Sequence, residues 1–149
     1  MSGMRCGEVV GLRWGDVDFA VRTVAIRRSV VLIKAKGEGQ RLVLKPPKSG
    51  RARVVDLDEC TLRALQTHRR ELVEVSLALT QADAFVFGRL TGDALHPERL
   101  SRSFNEHHRS AVNRYGLVLP DIRLHDLRHT HATLLLTAGV HPKRPISIT

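Results

Sequence analysis

Two basic segments, one near each end of the chain, contain the residues whose types and spacing suit chemistry on an anion. His125 and Arg128 are three residues apart, so they would share one face of a helix. Arg5 lies near the start and is followed by Glu8. Arginine binds phosphate through two parallel hydrogen bonds, and histidine transfers protons near neutral pH. We therefore predict that Arg5, His125 and Arg128 meet at one centre suited to a phosphodiester whose charge grows in a transition state.

The segment 125–129 has two other interpretations. It could be one face of a basic helix whose histidines and arginines are simply solvated. It also nearly copies the H-E-x-x-H zinc pattern, because His125 and His129 are four residues apart. Against zinc, Asp126 is one methylene shorter than the glutamate base of that pattern, Arg128 would place a fixed cation beside the metal, and no third ligand is identifiable. We expect no metal and no other cofactor, and keep a zinc hydrolase only as an alternative function.

The charge balance of the 149-residue chain favours a nucleic-acid partner. The net charge is +9, from 24 lysines and arginines against 15 aspartates and glutamates. An excess supplied mainly by arginine is typical of proteins that bind phosphate. No apolar run approaches the roughly 18 residues of a membrane span, and no secretory signal is recognisable. Cys6 and Cys60 lack metal-site spacing, which predicts reduced thiols and a cytoplasmic location.

Apolar periodicity and turn signals outline the elements that must position these side chains. Asp58 is a suitable N-cap for a long helix, Pro97 suits the first turn of another, and Gly116 suits its end. We expect an α+β fold, a mainly helical domain with a small three-stranded antiparallel sheet. The pattern predicts helices at about 4–14, 58–79, 96–115 and 125–138, strands at 21–34, 41–44 and 51–57, and a short apolar piece at 84–88.

Three stretches follow one another along the chain: R-x-G-E at 5–8 with G-L-R-W at 11–14, a basic turn around Lys48, and H-D-L-R-H-T at 125–130. Together they resemble the tyrosine recombinases, also called phage integrases. The resemblance covers essentially the whole chain and implies the catalytic-domain fold of that family, with site-specific DNA recombination or integration as the activity. It also implies double-stranded DNA and other recombinase protomers as partners, no small-molecule substrate, and a cytoplasmic protein of bacterial or phage-derived origin.

The resemblance implies a role for each matching catalytic residue. Arg5 and Arg128 would hold the nonbridging oxygens of the scissile DNA phosphate. Lys48, between two predicted strands, resembles the β-hairpin lysine of the family and would be the general acid for the 5′-hydroxyl leaving group. Lys45, three residues away, is the alternative lysine. His125 would assist proton transfer.

Two further residues would support this site. Glu8 would act through hydrogen bonds or an ion pair, and a solvent-exposed helix position is its other interpretation. His129 would orient Arg128, or would simply pack.

The nucleophile of the family has no counterpart at its expected place. In that family a tyrosine beyond the His–Arg pair attacks the phosphate, whereas the one tyrosine here is Tyr115, before the pair. We expect Tyr115 to pack with its hydroxyl hydrogen-bonded. Residues 1–149 are therefore predicted to be a single truncated catalytic domain, without the N-terminal core-binding domain and the C-terminal nucleophile segment. Such a chain would bind the scissile phosphate but be inactive in cleavage by itself; the alternative is a non-enzymatic DNA-binding or regulatory remnant.

Overall fold

The computed structural model describes residues 3–35, 39–48, 50–118, 120–137 and 139, apart from the side chains of residues 35, 128, 131 and 135. Short 3-10 turns occur at Trp14–Asp16 and Leu77–Thr80. The helices in this part of the chain are α1 (Cys6–Val10), α2 (Glu59–Val75), α3 (Pro97–Tyr115) and α4 (Asp126–Thr137). The strands are β1 (Val17–Asp18), β2 (Thr23–Ile26), β3 (Ser29–Ala35), β4 (Gly39–Lys45) and β5 (Arg53–Asp56).

The strands form two antiparallel sheets, one in the order β1-β2-β5 and the other the pair β3-β4. The α+β class is confirmed, but the strands are grouped differently from our expectation. The strand expected at 21–34 is two strands, interrupted at Arg27 and Arg28, and the one expected at 41–44 pairs with β3 outside the three-stranded sheet. We attribute the interruption to a tertiary contact, since the Arg28 guanidinium donates hydrogen bonds to the buried carboxylate of Asp16 in another element. That ion pair turns residues 27–28 away from the β2 ladder.

The first helix is shorter than its sequence pattern indicates. We expected it to continue to residue 14, but α1 ends at Val10. Beyond that point the backbone bonds to the segment 84–86 instead: Trp14 donates to the carbonyl of Ala84 at 3.0 Å, and Val86 donates to the carbonyl of Leu12 at 2.9 Å. The short apolar piece expected at 84–88 is thus part of a bridge with residues 12–14.

The hydrophobic core lies between α2 and the three-stranded sheet. Trp14 is 2% exposed, and its indole nitrogen donates to the carbonyl of Leu79 at 3.0 Å. Burial of these side chains is the main source of stability. The buried cluster comprises Leu12, Trp14, Val17, Val24, Leu57, Leu62, Leu65 and Val86.

A glycine lets α1 approach β3 closely. A Cβ atom at Gly7 would lie 2.6 Å from both the Ser29 hydroxyl oxygen and the Val30 carbonyl oxygen, which no real side chain tolerates. The backbone of α1 can therefore rest directly on β3 only because residue 7 has no side chain. This contact fixes the position of the residues on either side of Gly7.

The starts of α2 and α3, and the end of α3, follow the expected capping chemistry. The Thr61 amide donates to the Asp58 carboxylate at 2.8 Å at the start of α2. The Glu98 amide donates to His96 Nδ1 at 3.2 Å at the start of α3, which ends at Gly116 with φ of +60°. In the described part of the chain, no helix combines the length and the apolar character needed to cross a membrane.

Candidate active site

A buried carboxylate organises the first helix. Glu8 is 1% exposed. Its Oε2 accepts a hydrogen bond from the Arg5 backbone amide at 2.8 Å, and its Oε1 accepts one from Arg5 Nη1 at 3.2 Å. The first bond is a capping interaction, in which the third helical residue reaches back to the residue before the helix. Glu8 therefore fixes both the backbone and the guanidinium of Arg5, and the exposed helix position considered for it is excluded.

A second arginine, from the distant strand β5, also donates hydrogen bonds to this carboxylate, and Arg5, Glu8 and Arg53 together form the Glu8 cluster. Arg53 Nη1 donates to Glu8 Oε1 at 2.9 Å, and Arg53 Nη2 donates to Glu8 Oε2 at 2.6 Å. This two-bond geometry is the strong form of an arginine–carboxylate pair. Sequence reasoning missed Arg53; its only signal was the alternation of basic and apolar residues at 51–54.

The electrostatics of the cluster keep Glu8 ionised. Burial raises the pKa of the Glu8 carboxyl, but the hydrogen bonds from Arg53 and Arg5, together with their positive charges, lower it further than burial raises it. The net result is a pKa below the ordinary glutamate value. Two guanidiniums around one carboxylate leave the cluster with one unit of excess positive charge.

That excess charge is accessible at Arg5. The Arg5 side chain is 38% exposed, against 26% for Arg53. Within the described part of the chain, only Nη1 of the Arg5 guanidinium has a hydrogen-bond partner. An arginine fixed by one bond, with its remaining donors accessible, is suited to bind an anion from solvent.

The two candidate lysines lie on the segment that leads into β5. Lys48 is exposed in a turn closed by a 2.8 Å hydrogen bond from the Gly50 amide to the Pro47 carbonyl. The turn joins β4 to β5, which lie in different sheets, so Lys48 is not at the tip of a hairpin. Lys45 is exposed at the end of β4. Arg53 is the first residue of β5, so the Glu8 cluster fixes the chain where the Lys48 turn leads into that strand.

The residues predicted near the end of the chain lie at the start of α4. His125 immediately precedes α4, and its ring lies 5.3 Å, centroid to centroid, from the ring of His129 in the first turn. Both histidines are exposed. Arg128 belongs to α4, but its side chain lies outside the described residues. Hydrogen bonds from Arg123 lower the pKa of the Asp126 carboxyl at the start of the same helix.

The structure therefore brings Arg5 together with Glu8 and Arg53, and His125 together with His129. Among the described residues, no hydrogen bond or ion pair joins the two groups. The predicted meeting of Arg5 with His125 and Arg128 stays a prediction.

One other sequence-based expectation has a structural outcome. Tyr115 is 68% exposed at the end of α3, so the packed position that we expected for it is wrong. Tyr115 is the last residue of α3, a helix that has no buried residue. Among the described residues, no three or more histidines, cysteines, aspartates or glutamates are grouped so that they could hold a metal ion.

Comparison with known proteins decides the family. Residues 1–144 match the family model described as the phage integrase family. The chain belongs to the phage integrase family. It is 27% identical to a tyrosine recombinase XerC-like protein of Caldanaerobacter subterraneus subsp. tengcongensis, over 98% of this chain and 38% of that relative. It is 30% identical to the prophage integrase IntR of Escherichia coli, over 95% of this chain and 35% of that relative.

Solved structures agree on the fold of this phage integrase family member. The Tn1549 transposon integrase in complex with a circular intermediate DNA matches 95% of this chain and 45% of its own, with a TM-score of 0.72 at 24% identity. The XerA recombinase matches 93% of this chain and 40% of its own, with a TM-score of 0.62 at 21% identity. The chain thus spans less than half the length of these relatives, and the shared part has a tyrosine recombinase catalytic-domain fold.

Proposed function

We propose that this chain binds the scissile phosphate of double-stranded DNA in site-specific recombination or integration. The observation that carries the proposal is the guanidinium of Arg5, which is anchored by the buried Glu8 and still accessible to solvent. Arginine keeps its charge at any physiological pH, so Arg5 would be a permanent ligand for a nonbridging phosphate oxygen. Each such donor is worth about 3 kcal/mol of transition-state stabilisation.

The other predicted residues complete the proposed site. Lys48 is the general acid for the leaving 5′-hydroxyl, because an exposed lysine on a turn is a mobile donor. His125 assists proton transfer, and Arg128 is the second phosphate ligand. His129, whose ring contacts that of His125, supports them. This assembly requires α4 to meet α1 over one phosphate, and that closure is part of the proposal.

The net charge of the chain and the similarity to a DNA-bound integrase support DNA as a partner. The chain has a net charge of +9, and a basic surface attracts the DNA backbone independently of sequence. The Tn1549 integrase, which shares the fold, was solved in complex with DNA. Other recombinase protomers are the second proposed partner, and the cytoplasm is the proposed location.

One observation favours binding without cleavage for residues 1–149 alone. The sequence contains a single tyrosine, and Tyr115 lies exposed at the end of α3, outside the Glu8 cluster. A non-enzymatic DNA-binding or regulatory module is therefore the second candidate function. Covalent trapping on a nicked DNA duplex tests whether this chain cleaves DNA: we expect no adduct from this chain alone, and a tyrosyl–DNA adduct would overturn that expectation.

Duplex binding measured by fluorescence anisotropy over a range of salt concentrations tests the phosphate assignment. Arg5→Gln removes the proposed contact, so we expect affinity to fall about tenfold or more and the salt dependence to decrease by about one phosphate. Arg63→Gln is the matched control, since it removes an exposed arginine that pairs with Glu59 on α2. Equal losses in both variants would mean that Arg5 contributes only general charge.

A further inference from the structure

We propose that Arg53 is a positioning residue for Arg5. By occupying both oxygens of Glu8, it limits Arg5 to a single side-chain hydrogen bond and leaves the rest of that guanidinium for the DNA phosphate. The inference rests on the proposed function and assigns a role to a residue outside the predicted catalytic set.

The competition between the two arginines is visible in their hydrogen bonds. Arg53 takes the two-bond arrangement on Glu8, at 2.9 and 2.6 Å, whereas Arg5 is limited to a single side-chain bond at 3.2 Å. Arginine–carboxylate pairs frequently take the two-bond arrangement, because that geometry is the stronger one. Without Arg53, Glu8 would draw Arg5 inward and engage the donors that now remain accessible.

The backbone fixes the positions of Arg53 and Glu8 relative to one another. Arg53 opens β5, where it is paired with Ile26 of β2 in the three-stranded sheet. Glu8 is held by α1, whose backbone rests on β3 through Gly7. The Glu8–Arg53 pair thus connects the two sheets, and Arg5 is attached to that fixed frame.

The charge arrangement also favours this division of roles. One carboxylate between two guanidiniums neutralises one of them. The better hydrogen-bonded and less exposed partner is Arg53, so the uncompensated charge is on the more exposed Arg5. The Glu8–Arg53 pair is then neutral, and the positive charge that would bind the phosphate is on Arg5.

A double-mutant cycle on duplex affinity tests this inference. The variants are Arg53→Lys, Arg5→Gln and the double variant, with Arg63→Gln as the control. Lysine keeps the positive charge but cannot bind both carboxylate oxygens in the arginine geometry. We expect Arg53→Lys to weaken duplex binding about fivefold when Arg5 is present and less than about twofold when Arg5 is replaced.

A second measurement follows the carboxylate directly. In the ¹³C NMR titration of the chain without DNA, the pKa of Glu8 is expected to change little in Arg53→Lys, because Arg5 takes up the hydrogen bonds that residue 53 loses, and to rise when Arg5→Gln is added. Thermal unfolding identifies which variants fold; where Arg53→Lys does not, Arg53→Gln replaces it with the same expected pattern.

The outcomes are distinguishable. Equal losses on Arg53→Lys with and without Arg5 would show that Arg53 acts independently of Arg5, and would overturn the inference while leaving the phosphate site intact. An unchanged duplex affinity in Arg53→Lys, or a Glu8 pKa that rises as much in Arg53→Lys as in the double variant, would overturn it as well. If Arg5→Gln alone binds as tightly as the unaltered chain, the proposed function fails at Arg5, and the inference fails with it.

Discussion

Removing Arg53 should destabilise the fold, because Glu8 would remain buried with only part of its coordination. Arg53→Ala deletes two charge-assisted hydrogen bonds to a carboxylate that is 1% exposed. Such bonds contribute about 1.5–3 kcal/mol each. The amide and guanidinium of Arg5 still donate to Glu8, so the loss is below the upper limit for a broken buried ion pair. We expect a decrease of about 3 kcal/mol in the free energy of unfolding.

Urea denaturation followed by tryptophan fluorescence is the suitable assay. The chain has one tryptophan, and Trp14 lies in the core, so its emission reports global unfolding. A loss of about 3 kcal/mol corresponds to about 6–12 °C in the melting temperature of a chain of this size. Arg63→Ala is the control, since its side chain is 75% exposed and surface ion pairs contribute about 1 kcal/mol or less.

The comparison between the two arginines decides the result. If Arg53→Ala costs no more than Arg63→Ala, the Glu8–Arg53 pair does not hold α1 against β5, and the reasoning about the buried carboxylate is refuted. A change in the slope of the urea transition for Arg53→Ala alone would point to an altered unfolded or native state instead of a lost interaction.

Three further outcomes follow from the same geometry. The pKa of Glu8 is lowered in the folded chain, so its stabilising contribution is complete above the unfolded-state pKa and is lost as pH falls through the folded-state pKa. Urea titrations from about pH 6 to pH 3 should show this loss of stability in the unaltered chain and a smaller loss in Arg53→Ala. An identical dependence of the unfolding free energy on pH in the two proteins would contradict the assignment. Gly7→Ala should lower the free energy of unfolding by about 2 kcal/mol, because the new Cβ would lie 2.6 Å from the Val30 carbonyl oxygen. Adding Ser29→Ala should not restore stability, and full restoration would show that only the clash with the Ser29 hydroxyl matters. Leu62→Ala, in the core between α2 and the sheet, should cost about 3 kcal/mol by the same urea assay, and a loss below about 1 kcal/mol would place α2 outside the core.

Local signals in the sequence were sufficient for the starts of α2 and α3 and for the end of α3, whereas α2 ends at Val75 and not at residue 79. Asp58, Pro97 and Gly116 each act through residues within a few positions, so their capping roles could be read without knowledge of the fold. The α+β class followed in the same way from the order of helical and β-rich segments. The family resemblance, carried by the motifs at 5–14 and 125–130, is confirmed by the family match.

Long-range partners explain what the sequence did not reveal. Arg53 lies 45 residues from Glu8, and no spacing rule connects them. The helix expected to reach residue 14 stops early because residues 84–86 offer its backbone other partners. The strand expected at 21–34 breaks because Asp16, from another element, attracts Arg28. In each case a tertiary contact overrides a correct local pattern.

The central claim is that Arg5 contacts one DNA phosphate, and a methylphosphonate scan tests it most directly. Each duplex in the series replaces a single charged phosphate with a neutral one, and affinity is measured for the unaltered chain and for Arg5→Gln. We expect one position at which the neutral group weakens the unaltered chain about tenfold but leaves Arg5→Gln nearly unaffected. If Arg5→Gln shows the same sensitivity as the unaltered chain at every position, Arg5 does not bind a phosphate and the account is wrong.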